Sequence, residues 1–227
     1  MVIYWPFFIQ ALSLTLFLLY SPLKRPYNTL DNRAGSASSS LPLDPEECIF
    51  MADTTNCLHV YFGEAKGKTT ASMGLALRAC GQGRKVLVAQ FLKNNRSREL
   101  TALRQLSGIR LLKDEPIQKF TFMMNDAEKQ ALRAQHTRFL QAIDGAFDEF
   151  APQLMVLDEL LVAENKGFVP REALEPLLDK WLKTCEVVLT GRQISDWLVA
   201  RANYATEMRK HRHPYDQGLN ARKGIEY

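Results

Sequence analysis

The sequence predicts an α/β protein, with a mostly parallel sheet, helices on both faces and a separate N-terminal extension. Three observations predict it. From Cys57 onward, short β-rich apolar runs alternate with stretches of helical spacing, and strands separated by helices pair in parallel. A glycine-containing Gly-Lys-Thr-Thr loop joins the first such run to the first helix. The composition also breaks near residue 50, before which the chain is apolar and then low in complexity.

The elements follow in order. Cys57–Phe62 is a short apolar run ending in a glycine turn, the first strand. Lys68–Cys80 has helical spacing, with Met73, Leu75, Ala76, Leu77 and Ala79 available for burial, and Gly81 and Gly83 stop it. Lys85–Phe91 is rich in β-formers and reads as the second strand. Arg98–Leu106 reads as a helix closed by Gly108, and Ile109–Leu112 as a short strand. Asn125-Asp126-Ala127-Glu128 is helix-start chemistry for a long helix to about Phe150. Gln153–Leu157 is a buried strand ending in Asp158-Glu159. Pro170 opens a helix through Lys183. Glu186–Thr190 is the next strand, followed by Gly191-Arg192, a short helix over Ser195–Arg201 and a last strand over Tyr204–Met208.

Length and composition set the outer limits. The 227 residues are 46% hydrophobic and 24% charged, ordinary globular values that allow one domain plus an extension and a sizeable core. The net charge of +4 suits anionic ligands, but the longest basic cluster, Arg209–His213, is too short to make nucleic acid the main partner. Cys48, Cys57, Cys80 and Cys185 show neither a C-x-x-C pair nor zinc-site spacing. They read as free thiols in a reducing compartment.

Residues 1–50 stand apart. Val2–Tyr20 is almost wholly apolar, Lys24 and Arg25 follow, and Ser21–Phe50 is a Ser-, Pro- and Asn-rich linker. Three readings compete. The apolar segment is near the minimum length for a membrane anchor, with a flank that would keep the following domain cytoplasmic. A signal peptide lacks its basic n-region. The third reading, translated upstream sequence before a start at Met51, removes the composition break and is the one favoured. The working domain is then 57–227.

The segment Gly63-Glu64-Ala65-Lys66-Gly67-Lys68-Thr69-Thr70 lies between strand and helix, the context of a phosphate loop. Glycines let successive N–H groups turn inward, and the helix N-terminus adds partial positive charge. Lys68 reaches outer phosphates and Thr69 offers a hydroxyl to Mg²⁺. Three residues separate Gly63 from Gly67-Lys68, one fewer than in the usual pattern. Asp158-Glu159 ends an apolar strand, where such folds place the acidic partner of the metal. Arg192 and Lys93 follow strands and could enter the same crevice, although surface roles suit them nearly as well. His59 reads as a packed strand residue. No nucleophile elbow, H-E-x-x-H motif or evident His–carboxylate dyad occurs. The chemistry therefore rests on positioning and electrostatics.

These residues resemble the ATP-dependent corrinoid adenosyltransferases of the cobinamide-adenosyltransferase type, from about His59 to Tyr227. The resemblance is carried by GEAKGKTT, by VLDE at Val156–Glu159, by LTGR at Leu189–Arg192 and, most specifically, by HPYDQGLNARKGIEY at the C-terminus. It departs at Ala65, where the family usually has glycine, and at Lys93-Asn94-Asn95-Arg96, where the family often has Lys-Gly-x-Trp. It departs again at Leu160-Leu161, where the family often has Asn. The last two segments lie toward the corrinoid in the family.

The resemblance implies a P-loop NTPase-like (RecA-like) fold and transfer of the 5′-deoxyadenosyl group of ATP to Co(I) of a reduced corrinoid, with triphosphate leaving. It implies phosphate contacts from Gly63, Glu64, Ala65, Lys66, Gly67, Lys68, Thr69 and Thr70, Mg²⁺ on Thr69 and Glu159, and Arg192 on phosphate or ribose. A homodimer, a flavin-type reductase for Co(II), and a cytoplasmic location are implied with it. Two other readings stay open: a kinase or ATPase transferring the γ-phosphate on the same fold, and a non-catalytic, nucleotide-responsive corrinoid-binding protein.

Overall fold

The computed structural model describes residues 56–93, 98–117, 119 and 121–225. The expectations for residues 1–50, for Asn94–Arg96 and for the last two residues lie outside these.

The described chain forms β1 (Leu58–Phe62), α1 (Lys68–Gly81), β2 (Val86–Gln90), α2 (Glu99–Leu103), β3 (Ile109–Lys113), α3 (Asp126–Phe150) and β4 (Leu154–Asp158). It continues through α4 (Leu160–Asn165), α5 (Arg171–Trp181), β5 (Glu186–Thr190), α6 (Asp196–Arg201) and β6 (Tyr204–Glu207). The strands make one sheet in the order β3-β2-β4-β5-β1-β6, and every pairing is parallel. The predicted elements are all present, most with ends shifted by one or two residues. α2 is shorter than predicted, and α4 was not predicted, because a six-residue helix directly after a strand shows too little periodicity to read.

Alternation along each strand builds two cores, one per face. Leu87 and Ala89 of β2, Met155 and Leu157 of β4, and Val187 and Leu189 of β5 pack with residues of α3, α4, α5 and α6. Val86 and Val88, Leu154 and Val156, and Val188 point the other way, onto Met73, Ala76 and Ala79 of α1 and Leu100 and Leu103 of α2. β2 and β4 are buried on both faces, which is why their sequences are continuously apolar rather than alternating.

The long helix α3 starts where its sequence says it should. Asn125 accepts from the Glu128 N–H at 2.9 Å, and Glu128 accepts from the Asn125 N–H at 2.8 Å, a complete capping box. Its other end is tied to α5 by Trp181, fully buried, whose Nε1 donates to Asp144 at 2.9 Å.

Candidate functional site

β1, β2, β4 and β5 all run toward the same edge, so Phe62, Gln90, Asp158 and Thr190 end side by side. Open parallel sheets bind ligands at that edge. The loop Gly63–Gly67 leaves β1 there. Gly63 and Gly67 have φ of 110° and 117°, in the left-handed range that glycine tolerates. Ala65 is not among the residues of positive φ, so its Cβ introduces no strain.

The loop is pinned by the residue that follows β6. Met208 donates its N–H to the Phe62 carbonyl at 2.7 Å and accepts from the Ala65 N–H at 3.0 Å. A Cβ on Gly63 would stand 2.4 Å from the Met208 carbonyl oxygen, so glycine is required for this approach. At Gly67 the loop becomes α1 without any side-chain cap. The first-turn N–H groups therefore keep their donor capacity for an anion. Lys68 turns back into the loop, its Nζ donating to Gly63 O at 2.7 Å and Ala65 O at 2.6 Å. Burial lowers its pKa, and nearby Glu159 opposes that.

Asp158 lies opposite, fully buried. Its Oδ1 accepts from Thr69 Oγ1 at 2.9 Å and from Thr190 Oγ1 at 2.6 Å, and its Oδ2 accepts from Gln90 Nε2 at 3.0 Å. Lys93 Nζ sits 3.6 Å from Asp158 Oδ2 and 3.9 Å from Glu159 Oε1. Glu159 caps α4 with φ of 62° and donates its N–H to Thr190 Oγ1 at 2.9 Å. Its side chain is 27% exposed. Burial raises its pKa, with Lys93 opposing. The resemblance implied Mg²⁺ on Thr69 and Glu159; in the fold the Thr69 hydroxyl donates to Asp158. Gln90 and Thr190 were not predicted at all. Each ends an ordinary apolar strand, and only their common edge could have flagged them.

The donor chemistry here fits a hard divalent cation. Thr69 and Asp158 offer oxygen only, and Gln90 Oε1 is buried beside them with no hydrogen-bond partner. Among the described residues no cluster of three or more His, Cys, Asp or Glu side chains could hold a metal. Any such ion would take its remaining ligands from phosphate and water, as Mg²⁺ does.

Two cavities open on this edge. One, about 590 Å³, is lined by Gly63, Glu64, Ile194, Met208 and Lys210. The larger, about 760 Å³, is lined by apolar Leu92, Ile117, Phe122 and Val162 together with Lys93, Lys119, Glu159 and Lys166. Arg192 lines both. Its carbonyl accepts from the Gly63 N–H at 2.8 Å, and its Nη1 donates to Glu64 Oε2 at 2.9 Å. The sequence-predicted loop, Glu159 and Arg192 are thus brought together. Thr70 is exposed on α1, and Lys66 is exposed on the loop.

Leu160 and Leu161 are fully buried. Leu161 packs under Gly191, where an added Cβ would come within 2.4 Å of its own. His59 pairs with Glu186 at 3.0 Å and stacks on Tyr204, at the opposite edge of the sheet. His136, fully buried on α3, pairs with Asp114 at 2.8 Å. Neither His–carboxylate pair was visible in the sequence, since 127 and 22 residues separate their members. The basic cluster is partly neutralised, Arg209 by Glu207 and Lys210 by Asp216. Cys57, Cys80 and Cys185 are free. Among the described residues no helix is long and apolar enough to cross a membrane.

The model of one protein family, described as ATP:corrinoid adenosyltransferase BtuR/CobO/CobP, matches residues 54–227. A corrinoid adenosyltransferase of Escherichia coli K12 is 29% identical over 177 residues, covering 77% of this chain and 87% of that protein. One from Pseudomonas aeruginosa is 28% identical over 182 residues, 80% of this chain and 89% of that protein. Corrinoid adenosyltransferase CobA of Salmonella typhimurium is 30% identical over 170 residues, 74% of this chain and 84% of that protein.

Proposed function

The chain belongs to the ATP:corrinoid adenosyltransferase family, and from that premise we propose how its residues carry the transfer of the 5′-deoxyadenosyl group of ATP to a reduced corrinoid. The observation that supports the geometry is Arg192 lining two cavities, one at the phosphate loop and one that mixes apolar with charged side chains. A nucleotide held by the loop then meets a bulky second substrate across that residue.

The corrinoid's Co(I) supplies an electron pair to C5′ of ATP. The Co–C bond forms as the C5′–O bond breaks, and that bond's pair departs with the triphosphate. No protein base is needed, since no proton is removed. Lys68 and the α1 N-terminus neutralise charge growing on the leaving group, a role that preorganised donors perform best in a partly dry site. Thr69 and Asp158 would hold Mg²⁺, which offsets triphosphate charge when bound. Gln90 and Thr190 fix the Asp158 carboxylate so that it need not reorganise. Glu159 and Lys93 face the larger cavity, beside the place where the two substrates meet.

The same reading places the activity within residues 54–227 and extends to a homodimer, a reductase that delivers Co(I), and a reducing, cytoplasmic setting. Free thiols at Cys57, Cys80 and Cys185 support the last of these. The deciding experiment supplies ATP, Mg²⁺ and chemically reduced cobalamin and identifies the products. Adenosylcobalamin with tripolyphosphate is expected. ADP with phosphate, and no adenosylated corrinoid, would replace this reading with that of a kinase or ATPase.

A further inference from the structure

Three cations of the site are held by acceptors of the protein itself. Lys68 donates to loop carbonyls, Lys93 sits on Asp158 and Glu159, and Arg192 pairs with Glu64. Of these acceptors, Glu64 is the one carboxylate borne by the phosphate loop. A negative side chain there opposes the loop's task, because it adds repulsion where a polyanion must bind. Its pair with Arg192 is also the most open of the three, with side chains 60% and 69% exposed. Glu64 can swing into solvent without leaving a buried charge behind. The Arg192 backbone is tied to the loop, its carbonyl accepting from the Gly63 N–H at 2.8 Å.

We propose that Glu64 is a release residue for the leaving triphosphate: it competes with the polyanion for Arg192 and retakes the guanidinium as the polyanion departs. The proposal rests on the assignment of the triphosphate to this loop. Cleavage of the C5′–O bond leaves a product with more negative charge than the ester had, so Glu64 disfavours the product more than it disfavours ATP. The competing contact is an exposed ion pair, which limits the effect to a few-fold.

The test is calorimetric titration of the full chain with tripolyphosphate at constant Mg²⁺, for the unaltered protein, E64Q, R192A and the double variant. E64Q is expected to bind tripolyphosphate about fivefold more tightly, with a smaller gain for ATP. Added tripolyphosphate should then inhibit adenosyl transfer at a correspondingly lower concentration. In the R192A background, E64Q should change the affinity by less than about twofold. The sign is diagnostic, since loss of a merely structural contact would loosen the loop and weaken binding. Unchanged or weaker binding by E64Q overturns the proposal. Equal tightening in both backgrounds also overturns it, because simple repulsion would then suffice. Failure of the unaltered chain to bind tripolyphosphate would remove the loop assignment itself, and this proposal with it.

Discussion

Asp158 and Glu159 are neighbours in the chain with opposite surroundings. Asp158 is fully buried and receives three hydrogen bonds, from Thr69, Thr190 and Gln90. Glu159 receives no such set and is raised in pKa by burial, with only partial relief from Lys93. A carboxylate whose folded pKa exceeds its unfolded value stabilises the fold fully only below the unfolded value, and that contribution is lost as pH rises through the folded one. E159Q removes the cost of ionising at neutral pH. Thermal melts should therefore show E159Q more stable than the parent at pH 7 to 8, with the difference closing as pH falls below about 4.5. Turnover should move the other way, because the same charge lines the larger cavity. Equal melting curves at neutral pH would show that Lys93 already compensates the charge.

At the scale of elements, two turns precede helices and do different work. Asn125 caps α3 on an exposed corner, a purely local device. Gly63 opens the phosphate loop under the carbonyl of Met208, a residue 145 positions away. N125A should cost about 1 kcal/mol, a fall of roughly 2–4 °C in melting temperature, with ATP affinity unchanged. G63A meets both positive φ and a backbone oxygen. It should cost roughly 3 kcal/mol, roughly 6–12 °C, and also lose ATP binding. Calorimetry and nucleotide titration on the pair check both statements. The capping box was legible in the sequence because both its partners lie within four residues. The clamp of Met208 on the loop was not, because nothing near Gly63 names the strand that will lie beside it.

At the scale of the whole molecule, the sheet order β3-β2-β4-β5-β1-β6 inserts β5 between the strand of the phosphate loop and the strand of Asp158. That single strand brings Thr190 to the acid and Arg192 to the lining of both cavities. The matched family covers residues 54–227, so a chain beginning at Met51 should melt and turn over like the full chain. A drop in either, measured side by side, would assign residues 1–50 a working part. The sequence by itself determined the alternating elements, the Gly-Lys-Thr-Thr loop between strand and helix, the acidic strand end and the resemblance of the C-terminal segment. Each of these is written in neighbouring residues, through periodicity, glycine placement or a short motif. Only the tertiary structure decided that Thr69 meets Asp158, that Gln90 and Thr190 hydrogen-bond the same acid, and that Glu64 holds Arg192. Those choices depend on which strands lie side by side, and long-range parallel pairing leaves no trace within any one strand.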